Sequence, residues 1–388
     1  MENANTLRLD KAAPLGGLLA IIGGVIMATT GTLWQSYIYG WLFMAGLTLG
    51  ALGIVILHNV IRATWSLSIL RLAEAAASPL SLFLMFLSWI PIATVGLKEI
   101  YLWADPVRSA GDHVLHNKAF FLNPSMFIGC SIAYFAFFIF MSNTLRKSTI
   151  RQDQNKDVTE SQKRANIASP GLLAFAVVVT FAATHWAMSL EPHWFSTVYP
   201  LLSLIGQVNC AVAIATLILC VNANREPYKG IVNAKLTKDL GNILFATTMV
   251  WAYLTLSQFL IIWSGNLPEE VPYYRLRAEL GWQFLGWILI WGRFFVPFFA
   301  LLAPKTKRYA NTMKWVCIWI ILMHILDVFW LVVPGFERGG LFQSIRLGDV
   351  GALIGFFGLF LVGFSTEVKK AALVPTHDNR LRENLDHA

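Results

Sequence analysis

Ten stretches of the chain run as nearly unbroken apolar sequence, with the polar residues gathered in bands between them. The runs cover approximately 15–34, 38–61, 78–103, 123–145, 170–190, 198–222, 240–265, 278–303, 312–334 and 348–366. A helix of about 20 apolar residues crosses the hydrocarbon core of a bilayer. Each run therefore predicts a transmembrane helix, and together they predict an all-α integral membrane fold of about ten spans. The first run, preceded by Arg8 and Lys11, has the outline of a signal peptide. It continues to Trp34 and turns at once into the second, so a retained span is the expectation.

The polar bands divide the chain. Residues 1–145 hold four spans, 146–169 (RKSTIRQDQNKDVTESQKRANIAS) form a polar linker, 170–366 hold six more, and 367–388 form a polar tail. No repeat of fixed period is visible. Prolines end the apolar runs at Pro192, Pro268 and Pro334, because the pyrrolidine ring cannot continue the helical hydrogen-bond ladder.

Composition agrees with this pattern. Charged residues make up 13% of the chain and apolar residues 56%, whereas soluble domains carry roughly 25% charged residues. The net charge of +8 would suit nucleic acid, but its placement argues for topology instead. Arg8 and Lys11, Arg62 and Arg71, the cluster 146–164, the cluster 225–238, Lys305 to Arg308 and the tail from Lys369 fall on the side of the termini. Alternate loops hold only Arg108, Lys118, Arg275, Arg277, Arg338 and Arg346. Basic residues favour the cytoplasmic side, so both termini are expected there. No basic–aromatic RNA-binding pattern, phosphate-binding loop, dinucleotide fingerprint or zinc-protease motif occurs. Cys130, Cys210, Cys220 and Cys317 stand singly in apolar runs, which argues against a zinc or Cys-ligated iron–sulfur centre.

Candidate chemistry falls in two places. Deep in the spans are His185, Gln258, Arg293, His324 and Asp327, in a setting where an ionisable group is costly and marks function or pairing. His324 and Asp327 are three residues apart and share a helix face. His185, Arg293, His324 and Asp327 are candidates for a buried proton path. A structural Arg293–Asp327 pair is the bland alternative. The second place is the face opposite the basic one, where SLEPHWFST, SGNLPEEVPYYR and VVPGFERGG converge. Glu191, His193, Trp194, Gln258, Glu269 and Glu270 are candidates there for a quinone or docking face. Histidine passes protons near neutral pH, a carboxylate can orient it, and aromatic walls suit a flat ring. The bland alternative is an ordinary aromatic belt. His58, one turn from Arg62, reads as a snorkelling residue. A bis-histidine haem between His185 and His324 is compatible with their depths, but the carboxylate beside His324 and the lack of a second histidine pair count against it.

Four segments, MSLEPHWFSTVY, YLTLSQFLIIWSGNLPEE, RFFVPFFALLAPKTKR and MHILDVFWLVVP, resemble in order and spacing the ActF-type subunit of bacterial alternative complex III. That subunit is one of two polysulfide-reductase-type membrane proteins in a quinol:electron-acceptor oxidoreductase. The resemblance is strongest over 170–334, and the ten-span plan agrees over most of the chain. It implies two four-helix bundles plus peripheral helices in a bacterial inner membrane. It also implies quinone or quinol binding, a proton path or an anchoring role, without metal-ligated or covalently held cofactors in this chain. The implied partners are a second such membrane subunit, a periplasmic iron–sulfur protein, multihaem c-type cytochromes and, in some assemblies, a terminal oxidase. The chain departs from the family in carrying Glu191 where aspartate is usual, and Ser264–Gly265 in place of an aromatic–small pair. A secondary transporter and a purely structural anchor are the competing readings. Pro91 and Pro297 inside spans favour the former.

Overall fold

The computed structural model describes residues 11–31, 33–157, 159–336 and 339–375. Arg8, Arg338, Arg380 and Arg382, counted above, lie outside them. Among the described residues the chain is helical with no strand. In order, the helices are α1 (Ala12–Ala28), α2 (Leu33–Ile61), α3 (Leu67–Ala76), α4 (Pro79–Ala93), α5 (Pro124–Asn155) and α6 (Thr159–Trp186), followed by α7 (Tyr199–Val221), α8 (Ala234–Gly265), α9 (Val271–Ala278), α10 (Trp282–Leu302), α11 (Ala310–Val332) and α12 (Leu347–Val368). Counting Leu67–Ala93 as one crossing, nine are long and apolar enough to span a bilayer. The tenth expected span is the shorter apolar helix α1, which ends at Ala28 rather than near Trp34 and has 17 residues.

The first and last helices pack together. A Cβ on Gly23 would stand 2.4 Å from the backbone of Gly351 and Gly355, and one on Gly16 would stand 2.6 Å from the carbonyl of Gly358. Only glycine permits this approach, the device by which helices in lipid gain van der Waals contact without a hydrophobic driving force. α1 and α12 flank α2, which is buried along most of its length against α3, α6 and α7. The helices before the polar stretch and those after it thus share one core.

The stretch 146–169 is helical almost throughout. It extends α5 to Asn155 and begins α6 at Thr159, with Lys156 in left-handed conformation at the corner. Its charges are used inside the protein. Arg146 pairs with Glu367 at 2.9 Å and donates to the carbonyl of Glu74 at 2.7 Å. Arg71, read from the sequence as a loop residue, is buried in α3 and pairs with Glu74 at 2.9 Å and Asp153 at 2.5 Å. His58 is likewise buried, 2.5 Å from the Ser66 hydroxyl, rather than snorkelling. The proximal part of the polar tail is not loose either. Glu367 is paired, and Leu373 and Val374 are buried. A positive charge that sequence counting assigns to an aqueous loop can be internal when an acid from a distant helix meets it.

Candidate functional site

α10 does not run as a regular helix. Over Leu289–Phe295 it takes π-helical turns, and the Val296 N–H reaches back to the Trp291 carbonyl, five residues away. In that register the Gly292 carbonyl would need an N–H at position 297, where proline has none. The Trp319 indole of α11 donates to it instead, at 2.7 Å. Such insertions in membrane helices recur at functional sites. Here the π turns carry Arg293, which is buried and directed at α11.

Arg293 meets two ionisable residues of α11, Asp327 and His324. Its Nη2 lies 3.3 Å from the Asp327 carboxylate, an ion pair without hydrogen-bond alignment. Its Nη1 lies 3.2 Å from His324 Nδ1. Guanidinium only donates, so Nδ1 accepts and the ring proton of a neutral His324 sits on Nε2. The Trp251 ring of α8 lies 4.6 Å from the guanidinium, a cation–π contact. From α7, Gly206 leaves room for the cluster, because a Cβ there would come 2.8 Å from Arg293 Nη2. The sequence-predicted trio is thus brought together. His185 is not part of it. It is buried between α5 and α6, with Nδ1 2.9 Å from the Tyr134 hydroxyl, Nε2 3.3 Å from the Phe121 carbonyl and its ring stacked on Phe121 at 4.1 Å. These contacts make it a satisfied core residue.

Two cavities flank the cluster. One is a groove of about 670 Å³ between α8, α9, α10 and α11, with walls that are largely apolar and aromatic, including Trp287 and Phe294. Its polar groups include Gln258, Tyr273, Tyr274, Arg277, Gln283 and Asp327. The other is a cavity of about 50 Å³ between α2, α6, α7 and α11, lined by Tyr199, Ser203, Gln207, His324 and Asp327. Asp327 borders both.

Above the groove, at the end of the bundle holding Glu191, a latch joins two loops. Arg277, buried in α9, grips Glu191 with both terminal nitrogens, at 2.6 Å and 3.2 Å, and donates to the carbonyls of Tyr273 at 3.1 Å and Trp330 at 3.3 Å. Its guanidinium lies 3.6 Å from the Tyr273 ring, and Trp194 stacks on the far side of that ring at 3.9 Å. Burial pushes the Arg277 pKa down, but Glu191 and the neighbouring tyrosines more than offset it and hold the residue above its ordinary value. Glu191 and Trp194 are therefore parts of an internal clamp rather than a free docking edge. Gln258 accepts from Ser196 at 3.1 Å and donates to the Tyr274 hydroxyl at 3.3 Å. Glu269 is exposed and Glu270 half-buried, both outside the cluster. Sequence reasoning missed Arg277, counted only as a loop charge, and Ser203 and Gln207, whose four-residue spacing on an apolar helix was the available signal.

His193 is the exposed candidate, bonded through Nε2 to Asp112 at 2.5 Å. This hydrogen bond, with backbone N–H groups of Leu115 and Val114, holds the Asp112 carboxyl below its usual range. A depressed carboxyl pKa stabilises the fold above the unfolded value, and that contribution disappears as pH falls through the folded value. The melting-temperature difference between the wild type and Asp112→Asn should therefore be present at neutral pH and vanish well below about pH 4. A difference that persists in acid would refute this assignment.

Helices and site together define an all-α, multi-pass membrane protein with an ionisable cluster between a lipid-level groove and a small polar cavity. No known protein family matches the chain, and no curated protein matches its sequence.

Proposed function

We propose that the chain is a membrane subunit of a respiratory quinol:electron-acceptor oxidoreductase of the alternative complex III type, and that its groove takes the quinol ring. The observation that carries this reading is the position of Asp327. A carboxylate on the wall of a 670 Å³ apolar, aromatic groove stands where a ring hydroxyl in that groove can lose a proton. Pockets of roughly 300–1,000 Å³ with few polar groups suit such ligands. Oxidation of the quinol releases two electrons and two protons. The electrons pass to a partner subunit bearing an iron–sulfur or haem centre, since this chain supplies acid–base groups. The protons leave through Asp327 and the far end of the bundle. In this assignment both termini are cytoplasmic, α1 is the tenth span, the spans form two four-helix bundles, and the Glu191 end faces the periplasmic partners and the second membrane subunit. The four quoted segments support it by their resemblance to that family.

Titration of the purified protein with a short-tailed quinone should quench tryptophan emission saturably, since Trp251 and Trp287 line the groove. Mild solubilisation from native membranes should recover haem c and iron–sulfur partners. Absence of saturable quenching, together with recovery of a lone haem-free chain, would overturn the proposal. The broken helix α10 beside buried charges would then favour a secondary transporter.

A further inference from the structure

Ser203 Oγ, Gln207 Oε1 and His324 Nε2 are buried and have no hydrogen-bond partner among the described residues. All three residues line the cavity of about 50 Å³, and Asp327 and Tyr199 complete its polar wall. A buried acceptor or donor left bare is costly, so three around one space form a coherent set rather than scattered defects. They are also chemically complementary. The Gln207 carbonyl accepts, the neutral His324 ring donates from Nε2, and the Ser203 hydroxyl does either. A cavity of about 10–15 Å³ holds one water if two to four polar partners surround it, so this one holds a small cluster.

We infer that this cavity is a hydration site in which water bridges Ser203, Gln207 and His324 to Asp327 and Tyr199. Its outer end matters as much as its floor. Tyr199 packs edge-on against Trp194 at 5.6 Å, within the clamp. The chamber therefore runs from the ionisable cluster to Tyr199, which meets the clamp through Trp194. Resting on the quinol reading, it is the route by which a proton taken up by Asp327 is handed to water and on toward Glu191, with Tyr199 between them. Gln207 and Ser203 are then positioning residues, which hold the water without touching the quinol.

A structure of the wild type at a resolution that shows water should reveal density at about 2.7–3.2 Å from both Gln207 Oε1 and His324 Nε2. A dry chamber overturns the inference. Gln207→Leu, which fills the space and removes the bare carbonyl, should expel the water and leave the quinone dissociation constant in the groove unchanged. Proton release after a quinol pulse should then slow at least tenfold. Normal proton release from a variant confirmed to be dry overturns the relay but leaves the quinone reading intact. Absence of saturable quinone binding by a hydrated wild type removes that reading and leaves the water site standing.

Discussion

Arg293→Leu is expected to destabilise the folded protein by about 3–5 kcal/mol, the cost of leaving one member of a buried ion pair unpaired. Asp327 would remain among α7, α10 and α11 without its guanidinium partner, with only the freed His324 Nδ1 at 4.0 Å to face it. The carboxyl would have to take a proton or draw in water, and either weakens the packing of α10 on α11. Arg293→Lys should rescue only part of the loss, because a single ammonium cannot serve Asp327, His324 and the Trp251 face together. The decisive variant is the double replacement Arg293→Leu, Asp327→Leu. Apolar replacement of a whole buried pair is often neutral or stabilising, so the double variant should recover most of the stability while losing proton release. Unfolding midpoints in one detergent give the comparison. If the double variant is as unstable as the sum of the two single ones, the pair is not an electrostatic unit.

The second large effect belongs to the clamp. Arg277→Ala should cost a similar ~3–5 kcal/mol through the stranded Glu191, and it also removes hydrogen bonds to the Tyr273 and Trp330 carbonyls. The consequence should be local as well as global. With no guanidinium against Tyr273, the Trp194 stack loses its support, and the loop from Glu191 to Ser196 should become open to protease at the outer end of the groove. Arg277→Lys preserves charge but not the two-pronged grip on Glu191, so it should resemble alanine more than wild type in protease sensitivity. Wild-type resistance in both variants would show that the aromatic stack holds the loop unaided.

Much of this architecture was legible from apolar run length. Among the described residues, eight helices of spanning length fall where unbroken hydrophobic sequence placed them, because a bilayer penalises any other solution for an unpaired backbone. The crossing expected over 78–103 lies earlier, at Leu67–Ala93. The three-residue spacing of His324 and Asp327 likewise forecast a shared face, and Arg293 joined them. Less accessible were features set by partners far away in sequence. Arg71 and Arg146 look like topology signals until Asp153 and Glu367 come beside them. α3 lies in a stretch too short and too charged to read as part of a span, yet every one of its residues is buried. His185 has the sequence profile of a proton carrier and turns out to be satisfied by Tyr134 and Phe121. Arg277 sits in a loop by any hydropathy measure, and only the return of Glu191 from another loop draws it inside. Length and periodicity report what a segment meets in lipid; they do not report which acid meets which base.

The glycine seam between α1 and α12 has a consequence for how the protein is made. α1 emerges from the ribosome well before its partner surface on Gly351, Gly355 and Gly358, which lies about 330 residues further along the chain. At about 5–20 residues per second, α1 waits on the order of tens of seconds with its backbone facing lipid or the insertion machinery. During that interval it is a short helix without its main packing partner, in contact chiefly with α2. Premature termination before α12 would strand it there and expose it to membrane quality control. Synthesis of α12 is thus the step at which α1 gains the surface that fixes its place in the bundle.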